Sequence, residues 1–352
     1  YYLNGDDALY TCENHAFVPR ITAMFPDSEF ISGDYNLQEG YALLILRNYN
    51  DANTHVYKYD STTFVEVMFN ATDYGYLELC DVAFAPNNTA LIVGYGYSTE
   101  LAQHVGVVYM YDGTSIVDLH IDTTYYQQTT FISVSFDTTN FAYITGNAIA
   151  YNGSSGGVVY GWDGDVFINL GMPTVNDYNS AVFRGVACGC NDNNEYVIFV
   201  GDGQTYDYTY EGIVYYYDVY NGFVHVNVDI SYTSSCFNDV AYCEYTDAMV
   251  IVGYGTLGTH DTGIVYTYTN GTVTELNVDT SSYDYTVFNA VAFAIGGETN
   301  GLGLIVGYGR KTNGYTNGIV YKYNASGMVA DDITPNAIGE LNDVMFLMDD
   351  AY

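Results

Sequence analysis

Carboxylates are the residues of this sequence best placed to do chemistry. Asp81, Asp239 and Asp343 occupy one position of a recurring apolar segment, as in Phe237-Asn-Asp-Val-Ala-Tyr242 and Leu341-Asn-Asp-Val-Met-Phe346. If those segments surround a common axis, the three carboxylates could hold a hard cation such as Ca²⁺. Other copies carry Ser133, Gly185 and Ala290 there, so the ring is incomplete, and the competing reading is an Asp that is solvated or bonded to backbone. Asp122, Asp229, Asp279 and Asp332 recur at the ends of other runs, where Asp bonds nearby N–H groups and shapes turns.

The remaining chemical groups are dispersed. His15, His55, His104, His120, His225 and His260 show no ligand spacing and read as strand or loop residues. The six cysteines are Cys12, Cys80, Cys188, Cys190, Cys236 and Cys243, with no C-x-x-C pair for zinc. Cys236 and Cys243 lie on one strand, roughly 23 Å apart when extended, too far to pair. Strand parity allows a bond from Cys188 or Cys190 to Cys243 across neighbouring sheets, and buried thiols are the alternative. No Gly-x-Ser-x-Gly elbow and no phosphate-binding loop is present, so no nucleophile stands out. These observations lead to an expectation of a non-enzymatic protein that requires no cofactor, with Ca²⁺ as the one candidate.

Charge narrows the partners. The chain of 352 residues carries 42 Asp+Glu against 7 Lys+Arg, a net −35. Seven cations cannot neutralise a phosphate backbone, so nucleic acid is not a partner, and an anionic membrane surface is a poor one. Self-repulsion of this size fades in acid or with bound cations, which suits an acidic or calcium-rich exterior. No apolar run approaches the length of a membrane-spanning helix. The chain begins at Tyr1, as expected of a mature protein whose export signal has been removed, or of a partial chain. Five N-x-[ST] sequons, at Asn70, Asn87, Asn152, Asn270 and Asn324, fit export and are candidate glycosylation sites.

The elements that must position these groups follow from a repeat. Gly106-Val-Val-Tyr-Met-Tyr111 recurs as Gly157 to Trp162, Gly212 to Tyr217, Gly263 to Tyr268 and Gly318 to Tyr323, with His55 to Tyr59 and Ala8 to Cys12 as divergent copies. The central tyrosines, from Tyr10 to Tyr321, number seven at a spacing near 50 residues. Each unit holds four strand-like runs. The second ends in Val-Gly-Tyr-Gly at Val93, Val252 and Val306, and Asp112-Gly113, Asp163-Gly164 or Asn270-Gly271 joins the third to the fourth as a tight hairpin. A lone four-stranded sheet cannot bury both faces, whereas radial stacking hides them.

This repeat resembles the seven-bladed β-propeller superfamily, and the resemblance covers the whole chain. The expected fold is all-β, with four-stranded antiparallel blades in a single domain spanning 1–352. The last unit stops after one strand (341–346), and three strands precede residue 22, so the two termini are expected to close the final blade together. The Trp-Asp signature of WD40 blades, the kelch double glycines and the sialidase Asp box are absent. Val306-Gly-Tyr-Gly followed by Gly318-Ile-Val-Tyr-Lys-Tyr323 is similar to extracellular repeat propellers, and that similarity implies no active site.

Tyrosine is in excess, at 41 residues. In propeller topology the loops between units and those between second and third strands share one face. They hold Tyr74, Tyr76, Tyr125, Tyr126, Tyr178, Tyr206, Tyr208, Tyr210, Tyr232, Tyr283, Tyr285 and Tyr315. Rigid aromatic area with polar rims suits protein or sugar contacts. The functional expectation is a self-associating extracellular structural protein of a surface filament, sheath or virion appendage. A carbohydrate-binding or adhesive propeller is the alternative, and a glycan hydrolase or lyase acting at the propeller mouth is a second. No membrane insertion is expected.

Overall fold

The computed structural model describes residues 2–4, 9–13, 16–21, 25, 27–51, 53–60, 62–171, 178–191, 194–229, 231–294, 301–311, 314–324, 329–332 and 340–346. For residues 2–21, 191, 194 and 329–332 the description extends to backbone pairing only. Among the described residues all of the regular structure is β, and no helix is long and apolar enough to cross a membrane.

The fold is a β-propeller of four-stranded antiparallel blades. Six blades are continuous segments, each a meander of four consecutive strands: I (28–66), II (74–118), III (128–171), IV (178–226), V (234–276) and VI (285–332). A further four-stranded sheet is composite. Leu341–Val344 pairs with Tyr2–Asn4, followed by Leu9–Glu13 and Ala16–Ile21. Blades counted as continuous segments therefore number six, where the sequence period leads to an expectation of seven.

The core lies in layers between blades, and the repeat residues explain it. Phe131, Phe183, Phe237 and Phe288 on the innermost strands each press on the hexapeptide glycine of the preceding blade: Gly106, Gly157, Gly212 and Gly263. A Cβ on Gly263 would sit 2.6 Å from the Phe288 ring, so only glycine admits this contact. Each of these rings then meets the central tyrosine of its own blade edge-on, as in Phe237–Tyr266 at 5.4 Å and 73°. Between blades I and II the pair changes together. Thr54 replaces the glycine, Leu79 replaces the phenylalanine, and the Leu79 amide donates to Thr54 Oγ1 at 2.9 Å.

Every innermost strand also carries a β-bulge at the same height. The register slips at Phe30/Ser32, Leu79/Asp81, Phe131/Ser133, Phe183/Gly185, Phe237/Asp239 and Phe288/Ala290. In the composite sheet Asn342 is skipped in the same way. A bulge turns two successive side chains toward one side, here the next blade. The first glycine of Val-Gly-Tyr-Gly lies opposite the bulge. A Cβ on Gly253 would overlap the Cys236 carbonyl.

Candidate functional site

An innermost strand is a sheet edge, with one row of N–H and C=O groups unpaired. The bulge residues satisfy it. Asp81 Oδ2 accepts the Val134 amide, Asp239 Oδ2 that of Val291 and Asp343 Oδ2 that of Gly33, each at 2.9 Å and each on the following sheet. The adjacent asparagines complete the clamp. Asn238, Asn289 and Asn342 donate from Nδ2 to the carbonyls of Phe288, Leu341 and Phe30 at 2.8, 2.9 and 3.0 Å.

The three aspartates proposed from sequence as Ca²⁺ ligands are therefore placed as backbone staples. Among the described residues no group of three or more His, Cys, Asp or Glu side chains converges to hold a metal ion. Burial pushes their carboxyls up: Asp81 is raised, Asp239 reaches about 7, and Asp343, repelled also by Asp81 and Asp239, reaches about 8.

Beyond the bulge the channel widens into a funnel of about 850 Å³, opening on the face of the turns between first and second strands. Its wall repeats. Three positions after the bulge site stand Tyr35, Phe84, Phe136, Tyr242 and Phe293, all half-buried, with Cys188 in blade IV. Phe346 lines a smaller adjoining cavity of about 110 Å³. The rim is tied around the axis. Gln38 Nε2 donates to the Pro86 carbonyl, Asn88 Nδ2 donates to Gln38 Oε1, and the Asn87 amide donates to Asn140 Oδ1. Thr138 bonds Glu195, and the Tyr242 hydroxyl donates to the Cys190 carbonyl.

Asp34 lies in the funnel wall. Its carboxylate accepts the amides of Tyr35 at 2.8 Å and Phe84 at 2.7 Å. Burial nonetheless raises it to about 7, and the neighbouring Asp81 adds to the rise. A carboxyl poised between its two forms near neutrality can give or take a proton. Asp137 also lines the funnel, its Oδ1 accepting the amides of Thr139 and Phe141. Glu244 stands exposed at the rim. Sequence reasoning missed Asp34 because it sits two residues beyond the aligned aspartate position. It missed the aromatic ring although its members recur at a fixed offset from that position.

Other residues singled out from sequence fall elsewhere. Cys188, Cys190 and Cys243 are free thiols, the alternative to the cross-blade bond that strand parity allows, and Cys12 lies outside the residues whose side chains are described. Cys188 packs between blades III and IV, and Cys243 between V and VI. Their parities are opposite, as required, but both turn away from the shared layer.

The tyrosine face divides. Tyr206, Tyr208 and Tyr210 are exposed, as is Tyr125. Tyr126 and Tyr283 are buried, and Tyr285 is half-buried with its hydroxyl 3.2 Å from that of Tyr308. Tyr74, Tyr178, Tyr232 and Tyr283 each cover the second glycine of a Gly-x-Gly: Gly96, Gly203, Gly255 and Gly309. Packing thus uses several of the tyrosines expected to be free for contact.

Asn70, Asn87, Asn152 and Asn270 are exposed, and Asn324 is half-buried. Asn70, Asn87 and Asn152 accept the amide and hydroxyl of the Thr or Ser two residues on. Asp112 and Asp122 make the same turn with Thr114 and Thr124. The sequon pattern is thus one form of a turn device that recurs through the chain.

No protein-family model matches the chain. No curated protein matches it either. Among solved structures, it is similar to an ulvan lyase of a polysaccharide-lyase family bound to -[GlcA(1-4)Rha3S]- (TM-score 0.56, 9% identity, 96% of this chain and 87% of that one). It is also similar to an α-L-arabinofuranosidase from Fusarium graminearum in complex with an iminosugar inhibitor (0.52, 13%, 93% and 99%). A third is the Penicillium chrysogenum α-L-arabinanase complexed with arabinobiose (0.51, 12%, 91% and 98%). At these identities the likeness shows the fold alone. The expectation of a non-enzymatic protein is nevertheless corrected: a fold shared with glycan-cleaving enzymes gives catalysis a scaffold that a search for nucleophile motifs does not test.

Proposed function

We propose that this chain is a carbohydrate-acting β-propeller that takes a glycan into the axial funnel and cleaves it there. The observation that carries this reading is the funnel itself. Its volume lies within the roughly 300–1,000 Å³ of small-molecule sites, its aromatic edges recur around the axis, and Asp34 stands in its wall with a carboxyl raised to about 7. Apolar ring surface suits the C–H faces of a sugar, and the carboxylates and amides suit its hydroxyls. Asp34 is the candidate proton donor to a leaving oxygen, the step that a raised carboxyl performs in glycoside cleavage. The fold shared with the arabinanase, the arabinofuranosidase and the lyase supports the same direction.

In this reading the composite sheet is a seventh blade, and the ring forms one domain. Its bulge at Asn342, its clamp onto blade I and its packed layers on both sides support that count. An extracellular site of action follows from a polymeric glycan substrate. The test is release of reducing ends, or of absorbance at an unsaturated product, from a panel of polysaccharides, by the wild-type chain and by Asp34→Asn. Product formation lost in Asp34→Asn supports the proposal. Glycan binding without any cleavage returns the chain to the binding-module alternative.

A further inference from the structure

The charge around the funnel separates glycan classes. Among its described lining residues none is Lys, Arg or His, whereas Asp34, Asp137 and Glu244 are acidic. The described turns that build the rim follow the same rule: residues 37–40, 85–89, 137–141, 244–247, 294 and 301–302 contain no basic residue, and they add Glu39 and Asp247. Of the seven cations, Arg47, Arg310 and Lys311 lie at the far ends of second strands, on the opposite face. Arg184 is bound to Asp202 at 2.5 Å, Lys58 lies over the Tyr41 ring at 3.6 Å, Lys322 belongs to the third strand of blade VI and Arg20 to the last strand of the composite sheet.

A carboxylate or sulfate entering this funnel would shed water and meet no opposite charge among the described lining residues, and charged groups are buried only when paired. The net −35 of the chain repels a polyanion before it arrives. Sugar hydroxyls, by contrast, donate to carboxylates and carbonyls. Elimination from a uronate also requires the sugar's own carboxylate to be neutralised before the adjacent C–H gives up its proton, and the described funnel wall offers no cationic side chain for that.

We propose that the funnel selects glycans that carry no carboxylate or sulfate, which makes the cleavage a hydrolysis, with water as the acceptor, rather than an elimination. This inference rests on the funnel being the sugar site. In the hydrolysis the glycosidic C–O bond breaks, the leaving oxygen takes the proton from Asp34, water adds its hydroxyl to the anomeric carbon and yields its proton to a second carboxylate of the funnel, Asp137 or Glu244, and solvent returns a proton from that carboxylate to Asp34.

The experiment is calorimetric titration of the full chain with neutral arabino-, xylo- and galacto-oligosaccharides and with oligogalacturonates and sulfated oligosaccharides, repeated on Phe136→Ala and Glu244→Lys. Expected is binding of at least one neutral oligosaccharide, weakened at least tenfold by Phe136→Ala. Anionic oligosaccharides should bind at least a hundredfold more weakly, with measurable gain in Glu244→Lys. Tighter binding of the anionic set, still weakened by Phe136→Ala, overturns the substrate class and leaves the funnel as the site. Neutral binding that Phe136→Ala leaves unchanged, or no binding of either set, overturns the funnel reading itself.

Discussion

The Oδ2 atom of Asp343 accepts the Gly33 amide at 2.9 Å, a bond between residues 310 positions apart. It is the same bond that Asp239 makes to Val291 within the chain, and it treats blade I as the next sheet of the series. Asn342 adds a bond to the Phe30 carbonyl at 3.0 Å, so both free edge groups of blade I at this height are engaged from the C-terminal strand. Asp343→Ala leaves a buried N–H without its partner, at a cost of about 1–3 kcal/mol. The expected outcome is a melting temperature lower by roughly 2–8 °C. Asp343→Asn keeps an acceptor and should lose much less. Equal losses in the two variants would assign the effect to packing and not to the edge bond.

The buried aspartates set a pH dependence of definite sign. Asp34 and Asp239 sit at about 7 and Asp343 at about 8 in the folded chain, against about 3.9 for an unfolded Asp. Between these values the folded state holds more protons than the unfolded one, so stability falls as pH rises from about 4 to about 8. Exposed Asp60 and Asp112 act oppositely. Hydrogen bonds led by Thr62 and by the Ser115 amide hold them well below the usual range, and the stability they add is lost as pH falls below about 4. Thermal melts from pH 3 to 8 should show a maximum near pH 4 to 5 and a decline of several degrees toward pH 8. A melting temperature that climbs steadily to pH 8 contradicts this assignment.

The Gly263–Phe288 contact and its variant Thr54–Leu79 define a swap. Gly263→Thr drives a side chain into the Phe288 ring, at about 1–3 kcal/mol for overpacking. Adding Phe288→Leu reproduces the combination already present between blades I and II. The double variant should recover at least half of the loss in a denaturant melt. Additive losses would show that the two interlayer geometries differ in backbone and not in side chains alone.

These contacts also mark what the sequence made legible. The strand runs, their period and the pairing of Leu341–Val344 with Tyr2–Asn4 follow from alternation and turn chemistry, which act locally. The bulges do not, because one extra residue in a strand is visible only against its partner. With the bulge unseen, the edge-bonding role of Asp239 and Asn238 could not be told from ligand chemistry. The direction in which Cys188 and Cys243 turn was likewise out of reach, since parity gives alternation without its sense. The funnel aromatics were present at a fixed offset, but their meaning required knowing that the innermost strands end around a cavity. Tyr232 looked like a free loop residue until its ring was placed over Gly255.

Two sets of substitutions separate the funnel from the tyrosine face. Tyr206, Tyr208 and Tyr210 are 69%, 74% and 46% exposed, the first two on the loop between second and third strands and Tyr210 at the start of the third, the end opposite the funnel. Replacing all three with Ser removes little packing, and surface changes of this kind shift stability by about 0.5 kcal/mol or less each. If the sugar site is the funnel, this triple variant should bind and cleave glycan as the wild type does. Asp34→Asn should do the reverse. It keeps an acceptor for the Phe84 amide and gives up the one for the Tyr35 amide, so a melt of the variant accompanies the assay; a proton donor is lost and turnover should fall by about 10²–10⁴. Binding should stay within a few-fold, because Asn presents a similar shape to the sugar. The pH profile adds a check that a structural role would not move. The acid limb of wild-type turnover belongs to whichever group acts as base, whereas the alkaline limb should track Asp34 near 7 and vanish in Asp34→Asn. Loss of activity in the tyrosine triple variant, with Asp34→Asn unaffected, would place the chemistry on the opposite face.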